Sequence, residues 1–86
     1  MEHIVIPVGS VTTASRLKKL LSKNGLYAEV IHTPRALNGG SCSYSVKTHR
    51  RNIATVKKFS QEYKLNIKGI YQEEVREGEK KYYDLS

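Results

Sequence analysis

Apolar residues change their spacing several times along this chain, and each change marks an element. His3-Ile4-Val5-Ile6-Pro7-Val8 is almost continuously apolar and β-branched and is closed by Gly9. Such a run suits a strand buried on both sides, which makes it a central strand. Pro7 removes one ladder donor, so it belongs near the strand end or at a bulge. The period then lengthens: Val11, Ala14, Leu17, Leu20 and Leu21 recur at three- and four-residue steps, with Arg16, Lys19 and Lys23 left to face water. Ser10 is placed to cap this helix, and Asn24-Gly25 stops it.

Tyr27 to His32 reads as a second strand, and Ser43 to Lys47, alternating at period two, as a third. Thr48 or Asn52 caps a second helix whose stripe is Ile53, Val56, Ser60 and Tyr63, widened by Ala54 and Phe59, with Lys57, Lys58 and Lys64 exposed. Asn66 to Tyr71 reads as a fourth strand. From Glu73 to Lys81 the chain is almost wholly charged around Gly78, which predicts a peripheral hairpin ending in Tyr82-Tyr83 in preference to a mobile extension.

The order strand, helix, strand, strand, helix, strand predicts an α+β domain of the ferredoxin-like βαββαβ topology, a fold name that implies no iron–sulfur cluster. Right-handed crossovers put both helices on one face of a four-stranded antiparallel sheet, with an extra C-terminal hairpin strand as an addition. The domain is expected over residues 1–72, and 73–86 form the charged extension or hairpin. In this topology the loop between the second and third strands lies at the same end of the sheet as the start of the first helix. Pro34 to Cys42 is thereby predicted to lie near the helix opened by Ser10, whose free N–H groups favour an anion.

Composition narrows the picture. With 86 residues, 38% of them hydrophobic, no Trp and one Phe, the core has to be built from Ile, Val, Leu, Ala and some of the six Tyr rings. One cysteine excludes an intrachain disulfide framework and suits a reducing compartment. No stretch approaches the roughly 18–20 apolar residues of a membrane span, and no basic leader opens the chain, so a soluble cytoplasmic protein without a membrane partner is expected. Fifteen Lys and Arg against eight Asp and Glu give a net charge of +7. That charge attracts nucleic acid, anionic lipid or an acidic protein, or is simply solubility charge spread over two helical faces.

The reactive chemistry concentrates in one segment. Cys42 follows Thr33-Pro34-Arg35 across a short stretch rich in Gly, Asn and Ser. A free cysteine is often buried and inert. Here Gly39-Gly40-Ser41 precedes it and Ser43 and Ser45 follow, poor company for a buried apolar side chain, which favours a functional thiol with a depressed pKa. Arg35 is either a surface charge or a permanent cation suited to hold a thiolate, persulfide or selenium-derived anion. Pro34 fixes the start of the loop and Thr33 offers a hydroxyl. The candidate binding set is Thr33, Pro34, Arg35, Ser41, Ser43 and Ser10, with Cys42 as the reactive atom's carrier.

His32 in the same segment is an acid–base candidate or a strand residue at a sheet edge. His3, His32, His49 and Cys42 have no zinc spacing, and the chain holds no GxGxxG, no Walker lysine motif and no Cys-x-x-Cys; neither metal nor cofactor is expected.

The N-terminal strand, the Ser/Thr-rich helix start, Thr33-Pro34-Arg35, the small-residue loop, Cys42 and the closing Gly69-Ile70-Tyr71 resemble the selenium/sulfur carrier protein-like family of small bacterial proteins over residues 3–72. Family members often have Gly directly after the cysteine, where this chain has Ser43. The resemblance implies a non-enzymatic carrier that holds a persulfide or selenopersulfide on Cys42, with sulfur or selenium donor and acceptor proteins as partners. A second reading is a basic single-stranded nucleic-acid-binding module, since RNA-recognition domains share the topology. Its stacking rings are sparse, with only Tyr44 on the third strand and none on the first. A third is a regulatory or small-ligand module that forms a homodimer through a sheet edge or the tail.

Overall fold

A computed structural model describes residues 2–37 and 44–85. The elements are β1 (His3–Val8), α1 (Val11–Lys23), β2 (Ala28–His32), β3 (Tyr44–His49), α2 (Ile53–Glu62), β4 (Tyr71–Arg76) and β5 (Glu79–Asp84), with single 3-10 turns at Arg35–Leu37 and Arg50–Asn52. All the strands join one antiparallel sheet in the order β2-β3-β1-β4-β5. The four strands expected from sequence are therefore five. The charged tail supplies the fifth through a hairpin whose two turn residues, Glu77 and Gly78, both have positive φ (51° and 80°), as the tightest hairpin turns require.

β1 is central, as its unbroken apolar run predicts. Ile4, Ile6 and Val8 alternate toward the helices and meet Ala14, Leu17 and Leu21 of α1, Val56 and Phe59 of α2, and Val46 of β3. Both helices thus share one face of the sheet. α1 starts where Ser10 Oγ accepts the Thr13 N–H at 3.2 Å. It ends where Gly25, at φ 73°, lets the Leu26 N–H return to the Leu21 carbonyl at 3.0 Å and its own N–H reach Ser22. Val11 is nearly half exposed, outside the apolar stripe expected to include it.

α2 is shorter on its apolar side than its pattern suggests. Ala54 and Tyr63 are exposed; the helix stops at Glu62, and Lys64 takes the left-handed conformation (φ 53°) that returns the Leu65 N–H to Ser60. Asn52 occupies the cap position, but its side chain does not cap. It donates to Thr48 Oγ1 at 3.0 Å, and Thr48 in turn donates to the Tyr27 carbonyl, so three buried or half-buried polar groups satisfy one another beneath the helix. Among the described residues no helix is long and apolar enough to cross a membrane.

The fourth strand lies later than expected, at Tyr71–Arg76 instead of Asn66–Tyr71. Of the expected segment, Tyr71 pairs with Val5 as the first residue of the strand and Ile67 bridges β1 opposite Val8, while the Lys68 N–H donates to the Pro7 carbonyl at 2.7 Å. Between Val5–Tyr71 and Val8–Ile67 the β4 side carries one residue more than β1. A strand residue's N–H and C=O point to the same neighbour, so the N–H that Pro7 lacks would have faced this break. The break accommodates the proline. Gly69 sits in it at φ 153°, where an added Cβ would come within 2.9 Å of the Tyr71 ring. Gly69→Ala is therefore expected to destabilise the fold by about 1–3 kcal/mol in a urea titration. An unchanged midpoint would show that the break tolerates a side chain.

Candidate functional site

Tyr44 pairs with both His32 and Val8, so the connection from β2 to β3 and the β1–α1 junction do share one end of the sheet. From that end the Thr-Pro-Arg segment turns away from the helices. Strand parity shows how. Tyr44, Val46 and Thr48 point with Ile4, Ile6 and Val8 to the helix side, which leaves Ser45, Lys47 and His49 of β3 and His3, Val5 and Pro7 of β1 on the opposite face. The Thr33 and Ser45 hydroxyls share a hydrogen bond of 2.7 Å on that face. Pro34 accepts the Leu37 N–H at 2.9 Å, closing the turn Arg35–Leu37, and this turn lies beside β5. β2 and β5 are the two edges of the sheet. A segment that leaves one and reaches the other crosses the face the helices do not cover, and Val5, Pro7 and Ser45 are buried there.

Arg35 is exposed at the start of this turn, with Thr33 and Pro34 half-buried behind it. Ser45 is fully buried and bonded to Thr33, so it belongs to the anchor of the segment and not to a solvated loop around the thiol. Ser10 is exposed, and its oxygen is engaged in capping, with the Thr13 hydroxyl 3.1 Å away. His32 lies on the helix side at the β2 edge, its exposed ring 5.2 Å from that of Tyr44, and the sheet separates it from the Arg35 turn. Ser41, Cys42 and Ser43, the centre of the site expected from sequence, lie outside the described residues.

Next to the crossing segment the open face carries polar groups that the sequence reading did not single out. Lys47 Nζ is 3.1 Å from Glu73, and the Tyr82 hydroxyl donates to Glu73 Oε2 at 3.0 Å. Burial works to raise the Glu73 pKa, but the hydrogen bonds from Lys47 and Tyr82 outweigh it and hold the carboxyl below its usual range. Stability from that carboxylate is present above the ordinary carboxylate pKa and is lost as pH falls through the lowered value. Tyr82 moves the other way. Burial, then the hydrogen bond to Glu73 and its charge, push the phenol up to about 12. Its contribution is complete below the ordinary tyrosine value and is lost as pH rises from there toward 12. In a native-state absorbance titration Tyr82 is expected to be the last tyrosine to ionise. Tyr82→Phe should remove that step, and a curve that kept it would contradict the assignment.

Beyond this triad His3, His49 and Tyr27 stack, with ring centroids 5.1 Å apart for the histidine pair and 5.0 Å for Tyr27 and His49. Burial, then the charges of Lys47 and His49, lower the His3 pKa, and the buried His49 Nδ1 has no hydrogen-bond partner among the described residues. The signal for both clusters was the period-two alternation His3/Val5/Pro7 and Ser45/Lys47/His49, which groups these residues once the strand pairing is known. Tyr44, the ring expected to project for base stacking, packs against the core on the helix side.

Residues 3–72 match the family described as Putative Se/S carrier protein-like. The chain belongs to that family. The span matched in this Se/S carrier-like protein runs from β1 to the second residue of β4, and includes Thr33-Pro34-Arg35 and Cys42. The rest of β4 and all of β5, including Tyr82, follow it. No curated protein and no solved structure matches the chain.

Proposed function

We propose that this protein is a carrier, not an enzyme, that holds sulfur or selenium as a persulfide or selenopersulfide on Cys42, on a ferredoxin-like scaffold widened by one strand. The observation that supports it most is family membership across the span containing the chain's one cysteine. The anchored Thr33–Leu37 segment adds a physical reason. Its start is fixed by the Thr33–Ser45 hydrogen bond and by Pro34, and an exposed guanidinium stands at its head within seven residues of the thiol in sequence.

Loading needs no oxidant when the donor is itself a persulfide. The Cys42 thiolate attacks the outer sulfur of the donor, a new S–S bond forms, and the donor cysteine leaves as its thiolate. Discharge is the same exchange with an acceptor thiolate. Arg35 supplies positive charge that favours the anionic forms at both stages and cannot lose its own proton. Donor and acceptor proteins are the partners this chemistry requires, and a reducing cytoplasm is where such exchange operates.

The test is retention of labelled sulfur. After incubation with a persulfide donor and gel filtration, the wild type is expected to retain label that a thiol reductant releases, whereas Cys42→Ser retains none. Equal retention by the two proteins would overturn the proposal.

A further inference from the structure

The charge of this protein is segregated by layer. α1 carries Arg16, Lys18, Lys19 and Lys23, all exposed, and no acidic residue. The segment 51–65 carries Arg51, Lys57, Lys58 and Lys64, also exposed, against Glu62 alone. The other seven Lys and Arg of the chain are balanced by its other seven Asp and Glu, so the whole net charge of +7 resides in the helix layer. The ion pairs lie elsewhere: Lys47–Glu73, Arg50–Glu2 and Arg76–Glu74. None of the eight helix-layer cations has an ion-pair partner among the described residues.

Four residues give this face a shape. Arg16, Lys19 and Lys23 project from α1 into a shallow groove whose other wall is Tyr63, at the end of α2. Tyr63 is 41% exposed, and its ring is held edge-on to Phe59 with centroids 5.9 Å apart. An apolar ring left in water beside three unpaired cations is the combination that a nucleic-acid strand uses, phosphates on the cations and a base on the ring. Protein interfaces are built differently, with Lys and Ser depleted at their centre. Here α1 presents Ser15, Lys18, Lys19, Ser22 and Lys23 as one stripe.

We propose that the helix layer is a docking surface for single-stranded nucleic acid, gripping the phosphate backbone through α1 and α2 and stacking a base on Tyr63. The surface lies on the opposite side of the sheet from the Thr33–Leu37 segment, so a bound strand leaves that face open. It is not the sheet-face mode of RNA-recognition domains, since Tyr44 faces inward and the crossing segment covers part of the open face.

The experiment measures binding of the full chain to a fluorescent single-stranded RNA of mixed sequence as salt is raised. Affinity is expected to fall linearly on a log–log plot, with a slope of about −0.7 for each phosphate engaged. The double reversal Lys19→Glu with Lys23→Glu should flatten that slope and abolish binding at physiological salt. Lys80→Glu with Lys81→Glu, the same charge change on β5, should weaken binding far less. Tyr63→Ala should cost roughly tenfold. Cys42→Ser should bind as the wild type does, which separates this inference from the carrier reading. Three results would each overturn the inference: no binding at low salt, equal losses from the two double reversals, or binding to polyglutamate or anionic lipid vesicles as tight as to RNA. Tighter binding to a duplex of the same sequence would overturn the role of Tyr63.

Discussion

Ile6→Ala is expected to lower the stability of this protein by about 3 kcal/mol, within the 2–5 kcal/mol range of large-to-small core substitutions. Ile6 is fully buried on the central strand, opposite Val46, in the core cluster that residues of both helices line. That cluster draws residues from α1, α2 and β3, so the strand cannot collapse toward one of them without leaving another. For a domain of this size the melting temperature should fall by roughly 12–24 °C. Ala54→Ser, on the exposed side of α2, is the control and should move it little. A small shift at Ile6 would mean that the core repacks around the loss and that β1 is not the keystone described above.

The second large effect concerns Arg35. If its guanidinium favours the Cys42 thiolate, Arg35→Ala should reduce the rate of Cys42 alkylation near neutral pH by about tenfold, the equivalent of roughly 1.4 kcal/mol. Arg35→Lys should retain most of the rate, since it keeps the charge and loses only the planar fork. The pH profile distinguishes electrostatics from a shape change: the titration midpoint should rise in Arg35→Ala while the plateau rate at high pH is preserved. A lowered plateau with an unmoved midpoint would assign Arg35 to the shape of the segment instead.

Much of the scaffold was legible because its signals are local. Six consecutive residues of β1 and the Ser10 cap of α1 need no partner to be recognised. β4 was displaced for the opposite reason. Ile67 and Ile70 give Asn66–Tyr71 a strand-like look, and the chain does touch β1 at Ile67, but Gly69 and the missing Pro7 donor interrupt the ladder there. The strand proper runs through Glu73 and Glu74, which look like a solvated tail until Lys47 and Tyr82 are seen to hold the first of them.

Parity explains the case of Tyr44. Its alternation with Val46 was visible, but which face the helices would cover was not written in the strand itself. Within the site, the identity of Thr33, Pro34 and Arg35 could be read directly. The hydrogen bond from Thr33 to a serine twelve positions on, and the path of the turn toward β5, depend on sheet pairing that no local pattern encodes.

The charge distribution was half legible. The exposed lysines of both helices followed from periodicity, but that none of them forms an ion pair among the described residues required knowing that most of the carboxylates lie on β4, β5 and their turn.

The carrier account is tested most directly by intact and peptide mass spectrometry of the protein after a single round of loading from a persulfide donor, with free thiols blocked. The account predicts one added sulfur atom per chain, located on the peptide containing Cys42 and removed by a thiol reductant. An unmodified Cys42 peptide after complete donor turnover would contradict it.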